Sequence, residues 1–236
     1  MITEGKFLTS INEAISLLKQ VDLYKTIGPK NVGNHSQASK KVAQKSKHTE
    51  IYNVAIAEMD YDILLNDDSL FQFSRTSNSL RYSFIQNPRI YISKQEYVID
   101  LLGIDEISEI SSDELEQMIV DINEEEYEQY LDEQEINIQA NIFRYDLDEK
   151  GYAPLIHSFS HIHMGLNEDC RLTCSKILTP LKFVLFSIKN SYFSHWKEAF
   201  QKVPNFDIMI AQSKVKLDPL PTKFWQQRDQ SELFFI

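Results

Sequence analysis

The sequence predicts an α+β domain, an antiparallel sheet of about five strands with an N-terminal and a C-terminal helix packed on it. Three observations predict it. Apolar residues recur at helical spacing near the start of the chain, alternate with period two from Glu50 to Gln86 and from Ile138 to Met164, and return to helical spacing after Thr179-Pro180. At 236 residues the chain is long enough for a core without staples, and it is read as a single domain over 1–236.

Each element follows from its residues. Met1 to Leu23 reads as an amphipathic helix with Phe7, Leu8, Ile11, Ile15, Leu18 and Val21 on one face, stopped by Gly28-Pro29. Residues 30–48 are rich in Asn, Ser, Gln and Lys and poor in apolar side chains, so they are expected to form a mobile basic loop. Strands are expected at Tyr52 to Ile56, at Ile63 to Phe73 broken by a turn at Asn66 to Ser69, and at Leu80 to Phe84 after Thr76 to Ser79. Pro88 ends this meander. Ser93 with Glu96 and Ser111 with Glu114 are capping boxes that open two helices, the first closing at Gly103. Two further strands, Ile138 to Asp146 and Leu155 to Met164, flank a turn at Leu147 to Tyr152. Thr179 caps a mostly buried helix that runs to about Gln201, with Pro180 in its first turn. The apolar end Leu233 to Ile236 is either docked on the protein or a tail that binds a partner.

The net charge of −11 is local. Residues 100–135 hold 15 acidic residues and no Lys or Arg, which leaves the rest of the chain formally +4. This acidic helical segment, 104–135, reads as a solvated charge run or as a face for a basic partner, because no glycine-centred calcium loop accompanies it. No apolar run reaches the roughly 18 residues of a membrane span, and the first 20 residues lack a signal-peptide core, so no membrane partner is expected and the location is expected to be cytoplasmic. Two cysteines four apart make no disulfide framework. With six glycines, the chain has no phosphate-binding loop, dinucleotide fingerprint or nucleophile elbow.

Chemistry concentrates between Asn141 and Tyr192. His157, His161 and His163 are separated by even numbers and share one face if the strand is extended. His161 and His163 then lie roughly 7 Å apart and His157 roughly 13 Å from His161, too far to share an ion. A metal held by His161 and His163 would need a third ligand such as Cys170, Cys174 or Asp146. Without a metal, the two imidazoles can serve as general base and acid, with Arg144 or Arg171 neutralising a phosphate and Asp146 orienting a ring. The bland alternative is structural: histidines hydrogen-bonded within the sheet and Arg144 paired to Asp146 or to the acidic helix.

The order R-Y-D (Arg144 to Asp146), H-x-x-S-H-x-H-x-G (His157 to Gly165), C-R-L-T (Cys170 to Thr173) and T-P-L-K-F-V-L-F-S-I-K-N-S-Y (Thr179 to Tyr192) resembles the bacterial family called domain of unknown function 2290. That family has a similar His-Pro-x-Ser-His stretch before a Cys-Arg-Ile-Pro segment and a phenylalanine-rich helix. The resemblance carries over His157, His161, Cys170 and Arg171. This chain departs from it with Ser158 in place of proline and Leu172-Thr173 in place of Ile-Pro. A looser likeness to small toxin and antitoxin proteins rests on R-Y-D followed by clustered histidines.

Two functions are therefore expected. The first is a nuclease-like or nucleotide-directed phosphodiesterase site in a defence or toxin-like component, carried by His157, His161, His163, Arg144, Asp146 and Arg171. The second is a non-catalytic subunit of a bacterial antiphage defence complex, with another protein subunit as its partner. Nucleic acid or nucleotide is the ligand of the first, and the sequence names no cofactor.

Overall fold

The computed structural model describes residues 2–43, 47–104, 110–134, 137, 139–166, 170–231 and 234–235, with the side chain of residue 132 left aside. The chain forms two compact units: Met1–Gln86 with Asn141–Ile236, and Asn87–Ala140.

In the larger unit, helix α1 (Glu4–Gln20) begins where the Thr3 hydroxyl accepts the Lys6 N–H, and it buries Phe7, Ile11, Ala14, Leu17 and Leu18. Asp22, at φ 58°, ends it by turning the chain into strand β1 (Tyr24–Ile27), which the sequence pattern does not announce. The stretch read as a basic loop carries a short helix, α2 (Gln37–Val42), and is tied to the buried Asp60 by Lys30 Nζ at 2.6 Å and by Ser36 N at 2.9 Å. Lys45, one of the lysines of this stretch, lies outside the described residues.

The expected strand at Tyr52 to Ile56 is instead helix α3 (His48–Ala57). Tyr52 and Ile56, four apart, also satisfy helical spacing, and Ile51, Tyr52 and Ala55 form the buried face that packs on Leu64, Leu70, Ile85 and Ile142. Strands β2 (Ile63–Leu65), β3 (Leu70–Arg75) and β4 (Leu80–Ile85) form the expected meander.

Between β4 and the next strand lies the smaller unit, with helices α4 (Lys94–Leu102), α5 (Ser112–Val120) and α6 (Glu124–Glu133). Both capping boxes form, and Gly103 closes α4 at φ 63°. Tyr97 packs against Tyr127 and Tyr130 at 5.2 and 4.9 Å, while the glutamates of α6's first turn point to solvent.

The larger unit resumes with β5 (Ile142–Leu147), β6 (Ser160–Met164), β7 (Arg171–Cys174) and the short β8 (Lys176–Ile177). The last long helix is two: α7 (Pro180–Ser191) and α8 (Phe193–Lys202). They break at Tyr192, which leaves helical geometry to set its hydroxyl 2.7 Å from Asp67 Oδ2 and its ring 6.1 Å from Phe84. Helix α9 (Phe206–Val215), β9 (Asp218–Pro219) and β10 (Phe234–Phe235) follow.

The sheet order is β1-β2-β3-β4-β5-β6-β7-β10, eight strands among the described residues where about five were expected. All neighbours are antiparallel except β7 and β10. The additional members are short or polar, too brief for a period to register. Phe234–Phe235 is thus docked as an edge strand, with Phe235 5.7 Å from Phe186; Leu233 and Ile236 lie outside the described residues. Among the described residues, no helix is long and apolar enough to cross a membrane.

Register divides the sheet into two faces. Phe71, Phe84 and Phe143 form one row and Phe73, Tyr82, Tyr145 and Ile162 the next; they meet α1 and α7 through Phe7 and Phe183. The opposite face begins with Leu70, Ile85 and Ile142, covered by α3. Beyond them it turns polar.

Candidate functional site

Two adjacent rows make the polar part of that second face. Gln72, Ser83, Arg144, His163 and Arg171 are register partners in one, and Ser74, Arg81, Asp146, His161 and Thr173 in the other. The period of two in I-F-R-Y-D-L sends Phe143, Tyr145 and Leu147 to the core and so forces Arg144 and Asp146 to the polar side. The same rule on S-H-I-H-M buries Ile162 in the core and turns both histidines over.

Asp146 is the hub. It is buried, and Arg81 Nε donates to its Oδ1 and Arg144 Nε to its Oδ2, both at 2.7 Å. His163 Nε2 lies 3.5 Å from Oδ2. Burial alone would raise this carboxyl; the hydrogen bond to His163 and the charges of Arg81 and Arg144 outweigh it and hold the group well below the usual carboxylate range.

His161 is 1% exposed and His163 5%. Their Nε2 atoms face one another at 3.0 Å, and His161 Nδ1 lies 2.7 Å from the Ser158 carbonyl oxygen. A carbonyl only accepts, so Nδ1 carries the His161 proton and Nε2 its lone pair. Burial, reinforced by the neighbouring His163 ring, pushes His161 down to about 4 against the pull of that carbonyl, so it is neutral at pH 7.

His157 corrects the extended-strand expectation. The strand begins only at Ser160, and Ala153 and His157 pair in a tight turn that folds the His157 ring to 4.8 Å from His161. Gly151 permits this, since a Cβ there would sit 2.6 Å from His157 Cε1. All six residues singled out from sequence therefore belong to one neighbourhood: Arg144 and Asp146 on β5, His161 and His163 on β6, Arg171 on β7 opposite His163, and His157 above His161.

The cysteines do not join them. Cys174 is in the core on the other face, where burial raises its thiol, and Cys170 is exposed. Of the three ligands considered beside the histidines, Asp146 is the one that reaches them; Asp146, His161 and His163 place ligand atoms within 4.8 Å of one another. Sequence reasoning missed Arg81. Its signal was present in L-R-Y-S-F-I, where a lone cation on a half-buried strand calls for an anion across the ladder, and Asp146 is its register partner. Thr173, bonded to Ser158 at 2.5 Å, was missed as well.

A family model described as uncharacterized conserved protein (DUF2290) matches residues 17–223, most of the chain. The chain belongs to that family. The region common to DUF2290 takes in every residue of this cluster, from Arg81 on β4 to Thr173 on β7, and stops short of β10. No curated protein and no solved structure matches the chain.

Proposed function

We propose that the polar sheet face is a phosphate-directed site, a nuclease-like or nucleotide-directed phosphodiesterase centre in a toxin-like or defence component. One observation carries this reading: among the described residues of the two register rows, three guanidinium groups and a pair of imidazoles stand with one carboxylate, a formal excess of two positive charges. Arg81 and Arg144 spend Nε on Asp146, which fixes both forks and leaves their terminal nitrogens for phosphate oxygens. Arg171 lines the same row as Arg144 and His163, with its Nε buried and unpaired.

The imidazoles act together, not as separate walls of a cleft. Neutral His161 presents a lone pair at Nε2, and His163 stands between that lone pair and Asp146. A proton taken from an attacking water or hydroxyl is held on the imidazole pair, and the Asp146 carboxylate, kept ionised by two cations, stabilises the imidazolium that forms. The defence or toxin-like setting rests on the R-Y-D and histidine pattern.

The test is a screen of DNA, RNA and nucleotide phosphodiesters with wild type, His161→Ala and Arg144→Gln, each checked for folding by circular dichroism. Turnover that falls at least about 100-fold in His161→Ala supports the site. Turnover insensitive to both changes, or none on any phosphodiester, removes it. The alternative of a non-catalytic subunit keeps the acidic helices as its surface, but its other element, the terminal tail, is engaged as strand β10.

A further inference from the structure

We infer that Asp146 Oδ2, His161 Nε2 and His163 Nε2 form a binding site for one divalent first-row transition metal ion. The inference concerns the same cluster as the phosphate reading, but ion binding does not require turnover and is read separately from it.

Three ligand atoms of metal-binding type lie together, all buried. An ion with ligands at about 2.0–2.1 Å spaces them about 3.3 Å apart in a tetrahedron and about 2.9 Å apart at adjacent octahedral corners. The two imidazole nitrogens are 3.0 Å apart and His163 Nε2 is 3.5 Å from Oδ2, with all three atoms inside 4.8 Å. The ligand types are those a borderline divalent ion prefers. Support behind the ligands is also of the metal-site kind. The His161 Nδ1–H donates to a backbone carbonyl, which fixes the ring and leaves the lone pair on Nε2.

The arginines also set the strength of the site. A carboxylate oxygen has two lone-pair positions, so Arg144 on Oδ2 leaves one for the ion. Two guanidinium charges nevertheless oppose a dication, which makes this a weak site that an anion would tighten. Three protein ligands would leave room for a further ligand, and the register neighbours of His163 on either side are Arg144 and Arg171, cations suited to a phosphate oxygen there.

The experiment is titration of Co2+ into the metal-stripped full chain, read by the visible absorption of the bound ion and by Zn2+ competition. The expected result is one Co2+ per chain, displaced by Zn2+, with affinity reduced at least about 10-fold in His163→Ala and in Asp146→Asn. Cys170→Ser binds like wild type, because that thiol is outside the site. Arg81→Gln, an exposed change that keeps all three ligands, tightens binding several-fold by removing an opposing charge. No Co2+ spectrum in folded wild type overturns the inference, as does loss of the spectrum in Cys170→Ser or weaker binding in Arg81→Gln. Ion binding without phosphodiester turnover would leave this site standing and remove the phosphate reading. His161-dependent turnover without ion binding would do the reverse.

Discussion

Tyr145→Phe is the most informative single change to the scaffold under the site. Tyr145 is fully buried between Arg144 and Asp146 in sequence, on the opposite face of β5. Its hydroxyl belongs to a chain of hydrogen bonds with a defined direction. Ser160 Oγ donates to the Lys176 carbonyl at 2.9 Å, so Tyr145 Oη, 3.0 Å from that Oγ, must be its donor; Oη in turn accepts the Leu178 N–H at 3.1 Å. Deleting the hydroxyl leaves a buried backbone N–H without a partner, about 1–3 kcal/mol, and removes the donation to Ser160, about 1 kcal/mol more. Together the loss is about 2–4 kcal/mol. Tyr82→Phe is the matched control: Tyr82 Oη donates to the Leu178 carbonyl at 3.2 Å, and losing one bond to a carbonyl costs about 0.5–1.5 kcal/mol. With a urea slope of about 2–3 kcal/mol/M, the Tyr145 variant should unfold about 0.7–2 M earlier than wild type and the control about 0.2–0.7 M earlier. Equal shifts for the two variants would refute the directional chain.

Three further outcomes are expected. Gly151→Ala should displace the His157 ring, because the new methyl meets His157 Nδ1 at 2.7 Å and Asp148 Oδ2 at 2.5 Å; the histidine resonances of His157 and His161 should both move in NMR spectra, and unmoved resonances would refute the packing. Asp60 gives a pH dependence. Burial would raise its carboxyl, but the Lys30 ammonium and the Ser36 N–H, both hydrogen-bonded to it, outweigh burial and lower it to about 2. A carboxyl depressed on folding contributes stability above its unfolded value near 3.8 and loses it as pH falls toward 2. After allowance for solvent around Lys30 the contribution is on the order of 1 kcal/mol, so Asp60→Asn should flatten the loss of melting temperature between about pH 4 and pH 2. Ser93→Ala removes the hydroxyl that accepts the Glu96 N–H and should cost helix α4 about 1 kcal/mol, visible as faster amide exchange in its first turn; unchanged exchange would exclude the cap.

What the sequence made legible follows from how many residues carry each signal. The meander, both capping boxes, Thr179 with Pro180, and the even spacing of Arg144, Asp146, His161 and His163 are all local patterns, and each appears in the structure. Strands of two to four residues, β1, β7 and β10, hold too few positions for a period and exist because neighbours offer them a ladder. Tyr52, Val54 and Ile56 misled because a spacing of four belongs to both patterns, and Ala55 decides for the helix by packing as part of its buried face. His157 was misplaced because a turn at Ala153, not an extended run, sets its position. Arg81 was overlooked because its partner lies 65 residues away.

Gln86 and Asn141 are bonded to each other, backbone N to O at 3.0 Å and Asn141 N to the Gln86 side chain at 2.9 Å. The segment 87–140 therefore leaves and re-enters the sheet at one point, like a cassette clipped into what would otherwise be an ordinary hairpin between β4 and β5. It carries 16 acids and two bases, so the host that remains is a cationic protein with formal charge +3. A version with a short glycine turn in place of the cassette would put β4 and β5 in direct succession, and with them Arg81, Arg144 and Asp146.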